Sequence, residues 1–410
     1  MKILHIISQT PDFTGSGKFI RELIRQSTRN GHENYLVAGV QADFNLPETL
    51  IRADHCCFVR FDGKDLDYSI PGMSDVMPYQ SSVFSNLDIT DMIEYQRVFE
   101  EKIRQAVCRF QPDILHTHHL WVVSALARRI APDIPMVTTC HGTCLRQHYL
   151  CPHIGRSIIK DLQNIDWIIA LSCDQQQSIV KTIAADPSKI NVISGGYNPD
   201  CFFCESKEFD GVVELVYAGK LSSSKGVPWL LKSLEKIKDL PFRLHLAGSS
   251  SGREKQICLE LAGNLGAKAV YHGSLTHERL GALMRRSHIF VLPSFFEGLP
   301  LVLMEAMACG CRIITTALPG VRQLFGTDHG TMVKMIPLPT LKTIDTPFKK
   351  DEAMLETRLA QTLKSGIEQV MQAVEPNMTY VCSATSHFTW EKIFSNIQQG
   401  YARLCREALK

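Results

Sequence analysis

The chain has 410 residues, 45% of them hydrophobic, a length that exceeds one ordinary core and suits two domains of roughly 200 residues each. Its 44 basic and 42 acidic residues leave a formal charge of +2. Without a long basic run, this balance gives no case for nucleic acid as a partner.

Met1-Lys-Ile-Leu-His-Ile-Ile-Ser carries one charge and a short apolar run. A secretory signal needs a longer apolar region and a small-residue cleavage site, so Lys2–Ile7 reads as a first strand. No stretch reaches ~18 apolar residues, so no membrane-spanning helix is expected, and the protein is expected to be cytoplasmic. Phe19, Ile20, Leu23 and Ile24 mark a helix face that Gly31 can stop. Tyr35–Val40 is the next strand. Residues 41–90 are polar, with weak periodicity, and read as irregular. A long helix is predicted over Ile89–Phe110, ending before Pro112. Asp113–Thr117, Met136–Thr139, Trp167–Leu171 and Asn191–Ser194 follow as short strands with helices between them. Alternation of this kind predicts a parallel sheet covered on both faces.

The rhythm restarts after a join near Tyr197–Gly211. Strands are predicted at Val213–Ala218, Arg243–Ala247, Ala269–His272, 289–293 and 312–316. Helices are predicted at Val227–Lys238, Glu254–Asn264, from Thr276 to Arg286, and at 301–309. Residues 326–350 read as a loop insertion. Ser386-His-Phe-Thr-Trp390 opens a final helix expected to run to Leu409.

Fourteen cysteines without a secretory signal should be mostly thiols. Cys140, His141, Cys144, His148, Cys151 and His153 include residue types that hold zinc. They lack a paired C-x2-C spacing, and scattered thiols are the favoured reading.

Several phrases at strand ends carry chemistry. Thr14-Gly15-Ser16-Gly17 follows the first strand; glycine lets backbone approach a ligand, and a helix start favours negative charge. The third glycine of a dinucleotide fingerprint is missing. His116, His118 and His119 close another strand, and crevices outside such strand ends are where α/β folds bind ligands. His141 and Gly142 follow the strand after that, where a histidine can donate a hydrogen bond or steady developing charge. In the second half, Gly219-Lys220-Leu-Ser-Ser-Ser-Lys225-Gly226 pairs two cations with a glycine turn. Leu246-Ala-Gly248-Ser-Ser is a second glycine turn. Finally, Glu297-Gly298-Leu299-Pro300-Leu301-Val-Leu-Met-Glu305 sets two carboxylates around a turn and helix start that favour an anion. An ordinary amphipathic helix with a glutamate at each end is the plain alternative. Asp65-Leu-Asp67 lies in a polar loop, and no Walker A or G-x-S-x-G phrase is present.

Glu297 to Glu305, running on into Ala306-Met-Ala-Cys-Gly310, resembles the E-x7-E motif of the retaining glycosyltransferases grouped as family four. The resemblance extends to the Gly15–Gly17 loop, the H-x-H of His116 and His118, the T-x-H-G phrase at His141, and the lysines. It covers most of the chain and is weakest over 41–90 and 326–380. It implies the GT-B fold, α/β with two Rossmann-like domains facing an interdomain cleft. The N-terminal acceptor domain would span 1–198, with the helix 388–410 packing back on it. The nucleotide-sugar donor domain would span 199–385.

By the same resemblance, His141, Lys220, Lys225 and Glu297 would be catalytic. Gly15, Gly17, His118, Gly219, Gly273, Gly298, Leu299, Pro300, Leu301 and Glu305 would bind the donor, Glu305 at the ribose and Gly273 near the base. The family phrase has arginine where Lys220 stands; lysine keeps the charge and loses the bidentate fork. The implied activity is transfer of a hexosyl unit, with retention, from a UDP- or GDP-linked sugar. The acceptor would be a glycan, a lipid-linked or a small molecule, in bacterial surface polysaccharide synthesis. Neither metal nor other cofactor is expected, and peripheral contact with the inner face of a membrane is left open. The alternative is a catalytically inert GT-B subunit that binds nucleotide sugar or glycan.

Overall fold

The computed structural model describes every residue except 47–48, 75–76, 249–251, 327–329, 344 and 409–410. Contacts divide the chain into two compact units: Met1–Gly195 with Trp390–Lys410, and Gly196–Thr389.

In the first unit, strands β1 (Lys2–Ile7), β2 (Glu33–Val40) and β3 (Cys56–Arg60) are followed by a two-residue pair, β4 (Pro71–Gly72) and β5 (Ser82–Val83). Then come β6 (Ile114–His118), β7 (Met136–Cys140), β8 (Trp167–Ala170) and β9 (Ile190–Val192). Seven of these form one parallel sheet in the order β3-β2-β1-β6-β7-β8-β9. Ile3, Leu4, Ile6 and Ile7 are all fully buried, as expected of a central strand with helices on both faces. The helix Ile89–Phe110 starts at a capping box made by Asp88 and Asp91 and stops at Gln111, whose φ is 50°. That turn falls where Pro112 would have ended the helix in any case.

The last helix, Trp390–Ala408, lays Trp390, Ile393, Phe394, Ile397, Tyr401 and Leu404 against Ile3, Phe19, Ile114, Val137 and Trp167 of this unit. It begins later than expected, because Met378–Thr385 forms a helix of its own and a short 3-10 turn intervenes. Residues 409–410 of the expected helix lie outside the described residues.

The second unit holds β10 (Val213–Ala218), β11 (Phe242–Ala247), β12 (Ala269–Gly273), β13 (Ile289–Leu292), β14 (Arg312–Thr316) and β15 (Val333–Ile336). Its parallel sheet has the order β12-β11-β10-β13-β14-β15. Thr276 caps the helix His277–Arg286 by accepting from the Arg279 N–H, as its position predicts.

Two expectations need correction. The stretch 41–90 is not wholly irregular: β3 pairs with β2 from Leu36↔Cys56 to Val40↔Arg60. Being an edge strand that is mostly half-buried, it lacks a strong apolar signal. Likewise 326–350 contains β15, paired with β14 from Ile313↔Val333 to Thr316↔Ile336, on a run of only four residues.

One lysine organises the entry to the second unit. Lys207 is 5% exposed, and its Nζ donates to the carbonyls of Arg285 (2.8 Å), Ser287 (2.6 Å), Cys309 (2.9 Å) and, more loosely, Met284 (3.4 Å). These are the end carbonyls of the helices His277–Arg286 and Val302–Ala308. Helix ends leave such groups without partners and carry partial negative charge, so the ammonium satisfies both at once.

Candidate functional site

Each sheet changes its winding direction once, and at that point the loops leaving two neighbouring strand ends part and leave a crevice. In the first sheet the point lies between β1 and β6; in the second it lies between β10 and β13. The two sets of candidate residues sit at or beside these points.

In the first unit, Thr14 caps the helix Gly15–Arg29 by accepting from the Gly17 N–H. Gln9 Nε2 donates to Ser16 Oγ (2.6 Å) and Thr14 Oγ1 (3.2 Å), fixing the turn from beneath. Gly17 is required there, since a Cβ would lie 2.5 Å from the Asp12 nitrogen; at Gly15 a Cβ would meet nothing within 4 Å. His118 Nδ1 and His141 Nε2 lie 3.0 Å apart, and Phe19 stands edge-on to both rings. His116 is stacked on His118, with centroids 4.8 Å apart, and both its nitrogens are engaged, by the Tyr401 hydroxyl and by Thr139 Oγ1. Burial first, then neighbouring histidines, holds His116, His118 and His141 well below the usual histidine range. All three are therefore neutral near pH 7, each with one donor and one acceptor nitrogen. His118 Nε2 has no hydrogen-bond partner among the described residues.

His5, His116 and His118 bring ring nitrogens within 4.8 Å of one another, the one such grouping among the described residues. Their rings are stacked, at 30° and 7° to one another, so the lone pairs do not converge. The trio fits a hydrogen-bonded column better than a metal site. The cysteine–histidine series starting at Cys140 is likewise dispersed. His141 turns to His118, His148 Nε2 meets the Leu120 carbonyl at 3.1 Å, and Cys151 meets Gln147. Only Cys140 and Cys144 touch, with sulfurs 3.5 Å apart. Asp65 of the D-x-D phrase turns inward, accepting from the Arg60 N–H and pairing with Lys102.

In the second unit the structure joins Lys225 to Glu297. Lys225 Nζ lies 2.8 Å from Glu297 Oε1, which also accepts from Ser294 Oγ at 2.7 Å. Gly226, with φ 71°, turns the chain where a Cβ would fall 2.0 Å from the Pro293 carbonyl oxygen. The Phe295 N–H donates to the Ser224 carbonyl (2.9 Å), tying the lysine loop to the loop after β13. Lys220 is exposed, and its carbonyl accepts from the Tyr217 hydroxyl at 2.6 Å. Three strand-end glycines are linked in series, Gly248 donating to the Gly273 carbonyl at 2.7 Å while a Cβ on Gly248 would lie 2.0 Å from the Gly219 oxygen. Ser249 and Ser250 of that phrase lie outside the described residues.

The helix expected at 301–309 spans Val302–Ala308, with Leu301 at its N-cap and no side-chain cap. The N–H groups of Leu301, Leu303 and Met304 close onto the carbonyls of Leu299, Pro300 and Leu301. The turn thus uses some of the donors expected to face an anion, and those of Gly298, Leu299 and Val302 remain the ones to consider. Gly298 itself is held close, since a Cβ on Gly320 would lie 1.8 Å from its carbonyl oxygen. Glu305 is the half-buried position on a helix whose other central residues are buried.

Sequence reasoning missed Ser294, Gln9, His5 and Tyr401. The Ser294 role was within reach, three residues before Glu297 at a strand end. Tyr401 is 285 residues from His116, and no local signal joins them.

Two family models match in succession: Glycosyltransferase Family 4 over residues 13–200 and Glycosyl transferases group 1 over residues 203–335. The glycogen synthase of Mycobacterium tuberculosis is 27% identical over 223 residues, 52% of this chain and 54% of that protein. The D-inositol 3-phosphate glycosyltransferase of Rhodococcus erythropolis is 24% identical over 269 residues, 58% and 60% of the two chains. The chain thus spans little more than half the length of these curated relatives. Among solved structures, HepE of Anabaena in complex with UDP and glucose aligns with a TM-score of 0.68 at 17% identity, over 98% of this chain and 99% of that one. No helix among the described residues is long and apolar enough to cross a membrane. With both of its α/β units matched in order, the chain belongs to the family-four, group 1 glycosyltransferases of GT-B fold.

Proposed function

We propose that the protein transfers a hexosyl unit from a nucleotide-diphosphate sugar, with retention at the anomeric carbon. The observation that carries this reading is the Lys225–Glu297 pair at the winding reversal of the second sheet, with the lysine loop tied to the loop after β13. The glutamate occupies the ammonium. A diphosphate would replace it, and Glu297, still accepting from Ser294, would turn to the sugar. Lys220 and Lys225 steady the charge that develops as the nucleoside diphosphate departs. Glu305 takes the ribose diol, and backbone at Gly273 reads the base. Lys220 binds as a point charge where an arginine would grip with two parallel bonds, so donor affinity rests more heavily on Lys225. The neutral His118–His141 pair offers a sugar hydroxyl one donor without a competing charge.

In this reading an oxygen of the departing phosphate accepts the acceptor's proton, and neither a protein nucleophile nor a metal is needed. The acceptor is a glycan, a lipid-linked or a small molecule, and bacterial surface polysaccharide synthesis is the setting proposed. UDP-linked sugars are the first donors to try, given the UDP and glucose in the HepE complex.

The test is a thermal-shift screen of UDP- and GDP-sugars on the purified protein, followed by donor hydrolysis with the nucleotide that binds. Stabilisation by one nucleotide class and release of its diphosphate are expected. Binding without turnover toward any acceptor would favour an inert sugar-nucleotide-binding subunit, and no binding at all would overturn the reading.

A further inference from the structure

Cys140 ends β7, and Cys144 lies in the first turn of the helix Thr143–Leu150. Between them are His141, Gly142 and Thr143, all half-buried, with Gly142 at φ 84° making the turn. Both sulfurs are buried and 3.5 Å apart, van der Waals contact for two thiols and about 1.5 Å more than a disulfide bond. The other twelve cysteines form no disulfide either, and Cys108, Cys173 and Cys382 among them are exposed. We propose that Cys140 and Cys144 are a modification site, a dithiol that a hydroperoxide closes to a disulfide and that a small or protein dithiol reopens, bending the His141–Thr143 turn.

The surroundings divide the roles of the two sulfurs. Burial opposes a charge on Cys144, but the Cys140 thiol, the His119 ring and the Leu120 N–H together outweigh it and draw its pKa well below the usual thiol value. Burial and the neighbouring Cys144 push Cys140 the other way. Cys144 also lies in the first turn of a helix, whose open N–H groups favour a thiolate, so it is the attacking sulfur, and Cys140 at the strand end is the resolving thiol. Cys144 Sγ attacks one peroxide oxygen, and the O–O bond breaks. A sulfenic acid and hydroxide result, and the hydroxide takes the proton that Cys144 gave up. Cys140 Sγ then attacks the sulfenic sulfur, the S–O bond breaks, and water leaves with the Cys140 proton. Two thiols are oxidised, one peroxide is reduced, and two waters form. A molecule as small as hydrogen peroxide needs only a local opening of the half-buried turn to enter.

Closing the bond draws the start of the helix onto the end of β7. The strand is held in the sheet by β6 and β8, so the intervening turn must yield, and with it the His141 contact to His118. An effect on donor binding rests on the functional reading above; the disulfide itself does not.

The full-length protein is to be treated with hydrogen peroxide and the tryptic peptide 130–146, which holds both cysteines and no other, weighed before and after reduction. The expected result is a loss of about 2 Da, restored by dithiothreitol, forming at least ~10-fold faster than the equally buried Cys258 thiol reacts. C140S should stop at a sulfenic acid on Cys144 that a dione reagent traps, and C144S should lose the reaction. A peptide that keeps both thiols while Cys108, Cys173 and Cys382 oxidise would overturn the proposal. So would stoichiometric zinc that must be stripped before the pair reacts. If the disulfide forms but neither redox state binds a nucleoside diphosphate, the functional reading fails and the dithiol stands; if the reduced form binds and the oxidised form binds equally, the bending of the turn is refuted.

Discussion

Replacing Lys207 by methionine keeps the length and apolar stem of the side chain and removes only its ammonium. Three carbonyls, of Arg285, Ser287 and Cys309, then lose their close donor. Cys311 Sγ, 3.2 Å from the Met284 carbonyl and 3.3 Å from that of Ser287, can serve only one of the two at a time. Charge-assisted bonds contribute about 1.5–3 kcal/mol each, but the lysine also recovers its hydration cost on removal. A net loss of about 3 kcal/mol follows. For a unit of this size that lowers Tm by roughly 6–12 °C. Scanning calorimetry gives the shift, and amide exchange localises it. Exchange should quicken at the ends of the helices His277–Arg286 and Val302–Ala308 and stay unchanged in the first unit. A fall below ~2 °C, or loosening confined to the first unit, would refute the idea that one cation caps both helix ends.

Lys225→Ala should lower turnover at least ~10-fold, about 1.4 kcal/mol of barrier, in a steady-state donor assay; unchanged rates would remove it from the site. Glu305→Ala should weaken nucleoside-diphosphate binding by calorimetry, and an unaltered Kd would exclude a ribose role. Gly400→Ala places a Cβ 2.1 Å from the Trp167 ring, which outweighs the helix propensity gained and should cost about 2 kcal/mol, read as a lower denaturant midpoint without a change in slope. Acid should loosen the first unit. Burial lowers the His5 pKa to about 4 from 6.5, with Asn34 only partly opposing, so between those values the unfolded chain binds more protons. The stability is complete above pH 6.5 and is lost as the pH falls toward 4, up to ~3 kcal/mol from this residue. Unfolding midpoints that stay flat from pH 7 to 5 would contradict the buried neutral column.

Long periodic elements were legible because burial on both faces of a sheet writes itself as unbroken apolar runs. Ile89–Phe110 has the predicted bounds and ends before Pro112 as expected. Edge strands such as β3 and β15 have one partner and a half-solvated face, so pattern alone does not separate them from loops. At the site, the spacing of Glu297 and Lys225 from glycines marked strand ends, and the chain brings those two together. What could not be read is how a turn spends its own N–H groups: the helix start at Leu301 closes several of them internally, a matter of dihedral angles rather than residue type. The stacking of His5, His116 and His118 was equally hidden, since it depends on the register that sets His5 beside His116.

The helix Trp390–Ala408 has a bearing on biosynthesis. It covers Ile3, Phe19, Ile114 and Trp167, yet it leaves the ribosome after the whole of the intervening unit has been made. Until then an oily patch of the early-made half is open to water and to other nascent chains. Shielding of that patch, by a chaperone or by delayed collapse, becomes a requirement of translation, and a stop codon shortly before Trp390 would leave a protein with every strand described above and a permanent tendency to aggregate.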